Sequence, residues 1–499
     1  MERMEQVKLM REIYKGAHSL TVWLGVEADE SSKAMSVLRQ MKLDMPDAYY
    51  EEKILEPDVK DTLYLTFKLF SRLWFGRLWI LQEYALGSHS NVPRKSQNSH
   101  VVFCCGRDRI EDLVSLGKNI IQKVTASPEL AREHTALLVV DRTLSINLLG
   151  GFVTFSEGIQ ETRNQLLSLT VQSRTANATG PRDKIYACIG LAEEIFHGPP
   201  IDMDYDSLIF DYAAPVEDVY SSFVRAVVSA SNRLDILGLC ERRSSRLISR
   251  TWTPDWTGDF ADGAGILRID LCTTVSNMQS LTYDVAPDTE CAARFAPDLS
   301  TLSVSGIVWD GIMEASSVVG VNTEAQFKTE CSLLSDIAKI LSKSQHGQRE
   351  KDHYTSCAKT LAWDRGRERG GGTISQRWVR SFEDWLTDPP PPEEHDPVSN
   401  PPQLGILSRS EFLDAFRVTM GTGKRIFMTN GGCFGRTSCE VKSDDLVCII
   451  LGCAMPMVLR PVDKHFEVVG EVYLDVIMHG ECMVAVREGK RTLQEFELH

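Results

Sequence analysis

Glu83 follows Trp79 by four residues in the run Arg77-Leu78-Trp79-Ile80-Leu81-Gln82-Glu83. Four residues is about one helical turn, so on a helix the indole and the carboxylate share a face. A carboxylate placed beside a substrate can stabilise positive charge that develops as a bond breaks. The bland alternative is a buried Glu83 held by Arg77, six residues back, or by Arg72. Trp74 and Trp79 likewise have the size and apolarity of core side chains.

Other candidate motifs fall away on spacing. Gly421-Thr422-Gly423-Lys424-Arg425 lacks the first glycine of a phosphate loop and puts Arg425 where Ser or Thr would bind magnesium, so it reads as a turn. His100 with Cys104 and Cys105 fails as a metal site, because adjacent strand residues point to opposite faces. Cys433, Cys439, Cys448 and Cys453 are spaced wrongly for zinc and read as core thiols. Arg182-Asp183 reads as a local salt bridge and turn. No metal and no resident cofactor is expected.

These side chains need elements to hold them. Val7, Met10, Tyr14 and Ala17 recur at spacings of three and four, which predicts an amphipathic helix over 4–17 ending at Gly16. Leu20, Val22 and Leu24 alternate with Thr21 and Trp23, as a strand does. Residues 27–41, 59–75 and 77–86 read as helices, and Val101 to Cys105 as a buried strand closed by Gly106. Helix patterns dominate 107–240, with Ser221 to Leu239 as an example. Strands are predicted from Leu302 to Val308, Arg425 to Thr429, Asp445 to Gly452 and Phe466 to Tyr473. The Gly/Arg stretch 364–373 and the Pro-rich stretch 387–402 cannot pack a core. The expected layout is an α/β region over 1–195, a mixed, mainly helical middle over 196–360, a flexible segment over 361–404 and a β-rich part over 405–499.

Composition bounds the rest. The chain has 499 residues, 43% hydrophobic and 25% charged, enough apolar material for a large core. A formal charge of −15, from 69 acidic against 54 basic side chains, weighs against nucleic acid as the main partner. No run is apolar for long enough to span a membrane, and the N-terminal residues lack a signal-peptide core. The 13 cysteines show no C-x-x-C pair and read as reduced, mostly buried thiols. The expected location is cytoplasmic.

Several blocks, in order, resemble the fungal heterokaryon-incompatibility (HET) family. They are Glu5 to Ala17 with Val22-Trp23-Leu24-Gly25, Leu73 to Glu83, Pro181 to Leu191, and Trp252-Thr253-Pro254-Asp255-Trp256-Thr257. The last runs from Asp444 through Val458-Leu459-Arg460 to Val469-Gly470-Glu471-Val472-Tyr473 and Met478-His479-Gly480-Glu481. The family's opening strand and Asp-Ala-x-Cys-Ile-Asn-Gln block are missing, so the resemblance implies an N-terminally truncated member. Leu474-Asp475 also replaces a usual His-Gly pair. The resemblance implies a role in fungal non-self recognition and programmed cell death, with protein partners and self-association. It extends remotely to the TIR fold, a flavodoxin-like α/β domain, some members of which cleave NAD⁺ with a glutamate spaced like Trp79-x-x-x-Glu83. On that likeness Glu83 is the catalytic carboxylate, Trp79 lies against the substrate, and NAD⁺ is the substrate. An inactive, truncated interaction module is the other reading.

Overall fold

The computed structural model describes residues 9, 10, 12–14, 16–41, 52, 56–88, 101–111, 113–126, 169–170, 173–174, 176–195, 208–241, 248–257, 283–316, 356, 359–360 and 425–499. The Gly/Arg and Pro-rich stretches, His100 and Gly421 to Lys424 lie outside them. The chain divides into two compact units, Met1–Val219 and Tyr220–His499.

In the first unit, strand β1 (Leu20–Trp23) pairs in parallel with β2 (Val101–Cys105), Leu20 opposite Val101 and Trp23 opposite Cys104. Parallel neighbours need a long crossover. Here it carries α1 (Ser31–Gln40), α2 (Pro57–Phe70), a short 3-10 turn (Leu73–Gly76) and α3 (Ile80–Ser88). Strand β3 (Asp108–Glu111) adds antiparallel to β2, with Ile110 opposite Phe103. The turn that leaves β1 meets the turn that leaves β2, where Gly106 donates its N–H to the Gly25 carbonyl at 2.9 Å. Both glycines hold positive φ, 103° and 58°, which side chains with a Cβ resist.

Helix α1 buries Ala34, Met35, Val37 and Leu38 and packs on α2 and β3. Its outer residues reach Asp108. Ser32 Oγ donates to Asp108 Oδ2 at 2.6 Å and Arg39 Nη2 to Oδ1 at 2.5 Å. The Ser32 hydrogen bond first, and Arg39 second, hold the Asp108 carboxyl below its usual range. Helices α4 (Leu113–Ala126) and α5 (Asp183–Ile195) complete the described part of the unit.

The second unit is built on a closed sheet. Its strands are β4 (Arg294–Phe295), β5 (Leu302–Ala315), β6 (Arg425–Thr429), β7 (Phe434–Thr437), β8 (Leu446–Ile450), β9 (Met457–Val462), β10 (His465–Tyr473) and β11 (Gln494–Leu498). The path β10-β7-β6-β5-β8-β9 returns to β10, because β9 also pairs β10. Two long strands make closure possible. Strand β5 pairs β11 and β8 with its first part and β6 with its last, its register shifting between Val308 and Asp310. Strand β10 shifts between Val468 and Gly470. Such bulges bend a strand so that it serves two layers. At Gly470 the bulge has φ +149°, and a Cβ would lie 2.0 Å from Cys439 Sγ, so only glycine fits. The core inside includes Val285, Ile307, Ile312, Phe427, Val447, Ile449, Val458, Val469 and Tyr473.

The block Trp252 to Thr257 sits inside this unit and ties helix α6 (Val216–Ser231) to the sheet. Trp256 stands edge-on to Tyr220 and Phe223, at 5.0 and 5.6 Å between ring centres. Ser221 and Thr253 share a hydroxyl hydrogen bond at 2.9 Å. Thr251 Oγ1 accepts from the Val468 N–H at 2.9 Å and donates to the His499 carbonyl.

Candidate functional site

The run from Arg77 to Glu83 follows directly on the 3-10 turn. Trp74 and Phe75 bury themselves against Phe103 of β2, Trp74 edge-on at 5.6 Å and Phe75 stacked at 6.3 Å. Trp74 is therefore a core residue. Arg77 is extended, Leu78 and Trp79 form a turn, and α3 starts at Ile80 with the Glu83 N–H on the Trp79 carbonyl at 3.1 Å. This puts Glu83 in the first turn of α3, where the helix dipole favours a negative charge. Trp79 is half-buried beside it.

Glu83 is 8% exposed. Arg77 Nη2 donates to its Oε1 at 3.2 Å, so the ion pair is made with Arg77 and not with Arg72. The Arg72 guanidinium instead donates to the carbonyls of Leu24, Val26 and Ala28, pinning the chain that leaves β1. Tyr14, from the helical turn before β1, hydrogen-bonds the Glu83 carboxylate. Its pKa is pushed up, first by burial and then by the Glu83 charge, against a smaller opposing effect of Arg77. Tyr14 carries no chemical motif in the sequence, only a place on a predicted apolar face. Among the described residues no group of three or more His, Cys, Asp or Glu is arranged to hold a metal.

A second layer fixes α3 from behind. Asn177 bridges to Arg77 in parallel, its N–H on the Gly76 carbonyl at 2.7 Å and its carbonyl accepting from Leu78 N at 2.8 Å. That segment is held by Lys184, whose Nζ donates to the carbonyls of Arg174, at 2.8 Å, and Ala176. Gln82 of α3 donates to the Ala187 carbonyl of α5 at 3.2 Å. The blocks Leu73 to Glu83 and Pro181 to Leu191 are thus one structural unit.

Arg182 and Asp183, expected to pair with each other, bond elsewhere. Arg182 Nε donates to the Ala214 carbonyl at 2.8 Å. Asp183 caps its own helix by accepting from the Gly180 N–H at 3.3 Å and takes the Tyr212 hydroxyl at 2.5 Å. Both side chains are too well used locally to form a ligand site.

Burial lowers the Lys184 pKa to about 8 and raises that of the neighbouring Cys188 thiol to about 11. The folded chain then releases the Lys184 proton near pH 8, whereas the unfolded chain keeps it to about 10.5. The unfolded state binds more protons in that window, so this group's contribution to stability grows as pH rises through it. The expected result is that wild type gains stability relative to Lys184→Met between about pH 8 and about pH 10, read by urea unfolding at each pH. A flat or falling difference would remove the argument.

Comparison with known proteins follows the same two ends of the chain. Residues 1–83 match the family model described as "Heterokaryon incompatibility protein (HET)". Residues 405–494 match the "Het-6 beta-barrel domain". Along 96% of its length the chain is 23% identical to "Heterokaryon incompatibility protein 6, OR allele" of Neurospora crassa, covering 79% of that protein. The chain is thus distantly similar to the heterokaryon incompatibility proteins. No solved structure matches it.

The first match begins at residue 1. It takes in β1, α1, α2 and the 3-10 turn, and its last residue is Glu83. The second covers β6 to β10 and reaches the start of β11, while β5, which the sequence groups with the middle region, lies at the centre of the same sheet. The coarse order of an α/β region, a helical middle and a β-rich C-terminal sheet agrees with the sequence reading. No helix among the described residues is long and apolar enough to cross a membrane.

Proposed function

We propose that this chain acts in fungal non-self recognition, in the cytoplasm, and that its activation leads to programmed cell death through protein partners. The observation that carries this reading is the order of likenesses: a heterokaryon-incompatibility match at the N-terminal end, a Het-6 barrel match at the C-terminal end, and a relative of that name across 96% of the chain. In this reading Glu83 is an anchor. Its carboxylate is buried and committed to Arg77 and Tyr14, which ties three pieces of the α/β unit together. Inducible expression in a fungal host tests it. Growth should arrest with the wild-type chain, and unimpaired growth at matched protein level would count against the proposal.

A second reading has one observation in its favour. Half-buried Trp79, just before α3, and buried Glu83, in its first turn, stand four residues apart beside a parallel β1–β2 pair with intervening helices, an arrangement in keeping with a TIR- or flavodoxin-like region. In this reading Glu83 is catalytic, Trp79 contacts the substrate and the chain hydrolyses NAD⁺ as a homo-oligomer. Nicotinamide release from NAD⁺ by purified protein, alone and forced to oligomerise, tests it. Equal rates for wild type and Glu83→Ala would sink it.

A further inference from the structure

The three strands of the first unit pair residue for residue, so their register fixes which side chains share a face. Val22, Phe103 and Ile110 form one row on the inner face, and all three are buried. The rings of Trp74, Phe75 and Tyr84 cover that row at Phe103. The outer face carries two rows, Thr21, Val102 and Glu111 in one, Trp23, Cys104 and Arg109 in the other. Thr21, Trp23, Arg109 and Glu111 are exposed, Val102 is half-buried, and Cys104 lies buried between Trp23 and Arg109. Parallel strands ordinarily have both faces covered, because their crossovers lay helices on each side. On this outer face the Trp23 ring is instead 54% exposed, a cost in water contact that a partner would relieve.

We propose that this outer sheet face is a docking surface for a second copy of the chain, packed face to face about a two-fold axis. The two rows complement each other. An axis lying between the two sheets, across the strands and over the row Val22–Phe103–Ile110, reverses each strand and exchanges the rows. Trp23 then faces Thr21 of the second copy, Cys104 faces its Val102, and Arg109 faces its Glu111, each pair occurring twice. Large side chains meet smaller ones on β1, and opposite charges meet on β3. Sheets packed this way keep their strands nearly aligned and stand about 10 Å apart. A contact between identical copies about a two-fold needs a surface that is complementary to itself, and these two rows are. The contact is small, three short strands from each copy. Interfaces below about 1,200 Å² in total belong to transient complexes, which places the association in the micromolar range. The dimer makes no use of Glu83, so it stands apart from both functional readings above.

Sedimentation equilibrium of the full chain between about 1 and about 200 µM tests it. The average mass of wild type should climb from monomer toward dimer. Arg109→Glu sets acid against acid, and Glu111→Arg sets base against base, so each variant alone should associate at least about tenfold more weakly. Mixed in equal amounts, the two variants should pair with each other at about the wild-type strength, because every charge then meets its opposite. That recovery also shows that both variants are folded. Trp23→Ala should weaken association by at least about tenfold as well. Wild type that stays monomeric at every concentration overturns the proposal. So does association that survives both charge substitutions unchanged, which would place the contact on another surface or with another partner. Two weakened variants that fail to recover when mixed, with the amides of Phe103 and Ile110 still protected from exchange, also overturn it. If either variant loses that protection, Trp23→Ala decides: wild-type association overturns the proposal, and weaker association supports it.

Discussion

Replacing Trp256 with alanine is expected to cost the C-terminal unit about 3–5 kcal/mol, the usual range for deleting a large buried aromatic. The indole is 1% exposed and sits edge-on between Tyr220 and Phe223 of α6. The block itself resists collapse into the hole, because it is held at Thr253 by Ser221 and at Thr251 by the Val468 amide and the His499 carbonyl. Loss of the ring should therefore uncouple α6 from the closed sheet. Native-state hydrogen exchange on β5 and β8 amides reads the effect, with exchange at least about a hundredfold faster expected. Trp23→Ala is the control, since that ring is 54% exposed and its loss should shift stability by no more than about 0.5 kcal/mol. Unaltered β5 and β8 exchange in Trp256→Ala would mean that α6 and the sheet are not coupled through this residue.

Asp445→Ala should cost about as much, by a different mechanism. Asp445 is 2% exposed and accepts from Arg460 Nε at 2.7 Å, Arg460 Nη2 at 2.8 Å and the Lys442 N–H at 2.7 Å. The Arg460 side chain is itself only 15% accessible. Removing the acid leaves a mostly buried cation without its counter-ion, its Nη2 still on the Glu440 carbonyl, and breaking such a pair typically costs about 3–5 kcal/mol. Arg460→Met in the same chain removes the stranded charge, so the double variant should recover much of the loss. A double-mutant cycle from urea unfolding measures this. If Asp445→Ala and the double variant are equally destabilised, the cost comes from the lost Lys442 turn and not from the ion pair.

The sheet was legible where apolar residues run together or alternate. Arg425 to Thr429 is strand β6 from end to end, and Leu302 to Val308 is the first half of β5. The second half, to Ala315, hid behind a bulge. One extra residue between Val308 and Asp310 shifts the period of two, so the apolar positions stop alternating just where the strand turns toward β6. Strand β3 was missed for another reason. Asp108-Arg109-Ile110-Glu111 has one apolar residue, and its stability comes from pairing with β2 and from Ser32 and Arg39 holding Asp108.

The candidate site divides in the same way. Arg77 was visible as a partner for Glu83, because both lie in one short run. The inward face of Met10, Tyr14 and Ala17 was visible from helical spacing. Two things were not. Tyr14 meets Glu83 from a distant stretch of chain, which no local pattern encodes. Lys184 binds two backbone carbonyls, and main-chain acceptors leave no trace in side-chain sequence. The fate of Arg182 and Asp183 failed similarly, since adjacency suggested a pair that tertiary partners at Ala214 and Tyr212 displaced.

The most direct measurement is the fraction of dead hyphal compartments, scored by dye uptake, in a fungal strain induced to express this chain, its Glu83→Gln variant or its Trp256→Ala variant at matched levels. With Glu83 an anchor whose isosteric amide still bonds Tyr14 and Arg77, death should be high for wild type and for Glu83→Gln, with cellular NAD⁺ unchanged by the substitution, and low for Trp256→Ala. No death with wild type, or death and NAD⁺ loss that both vanish in Glu83→Gln, would contradict it.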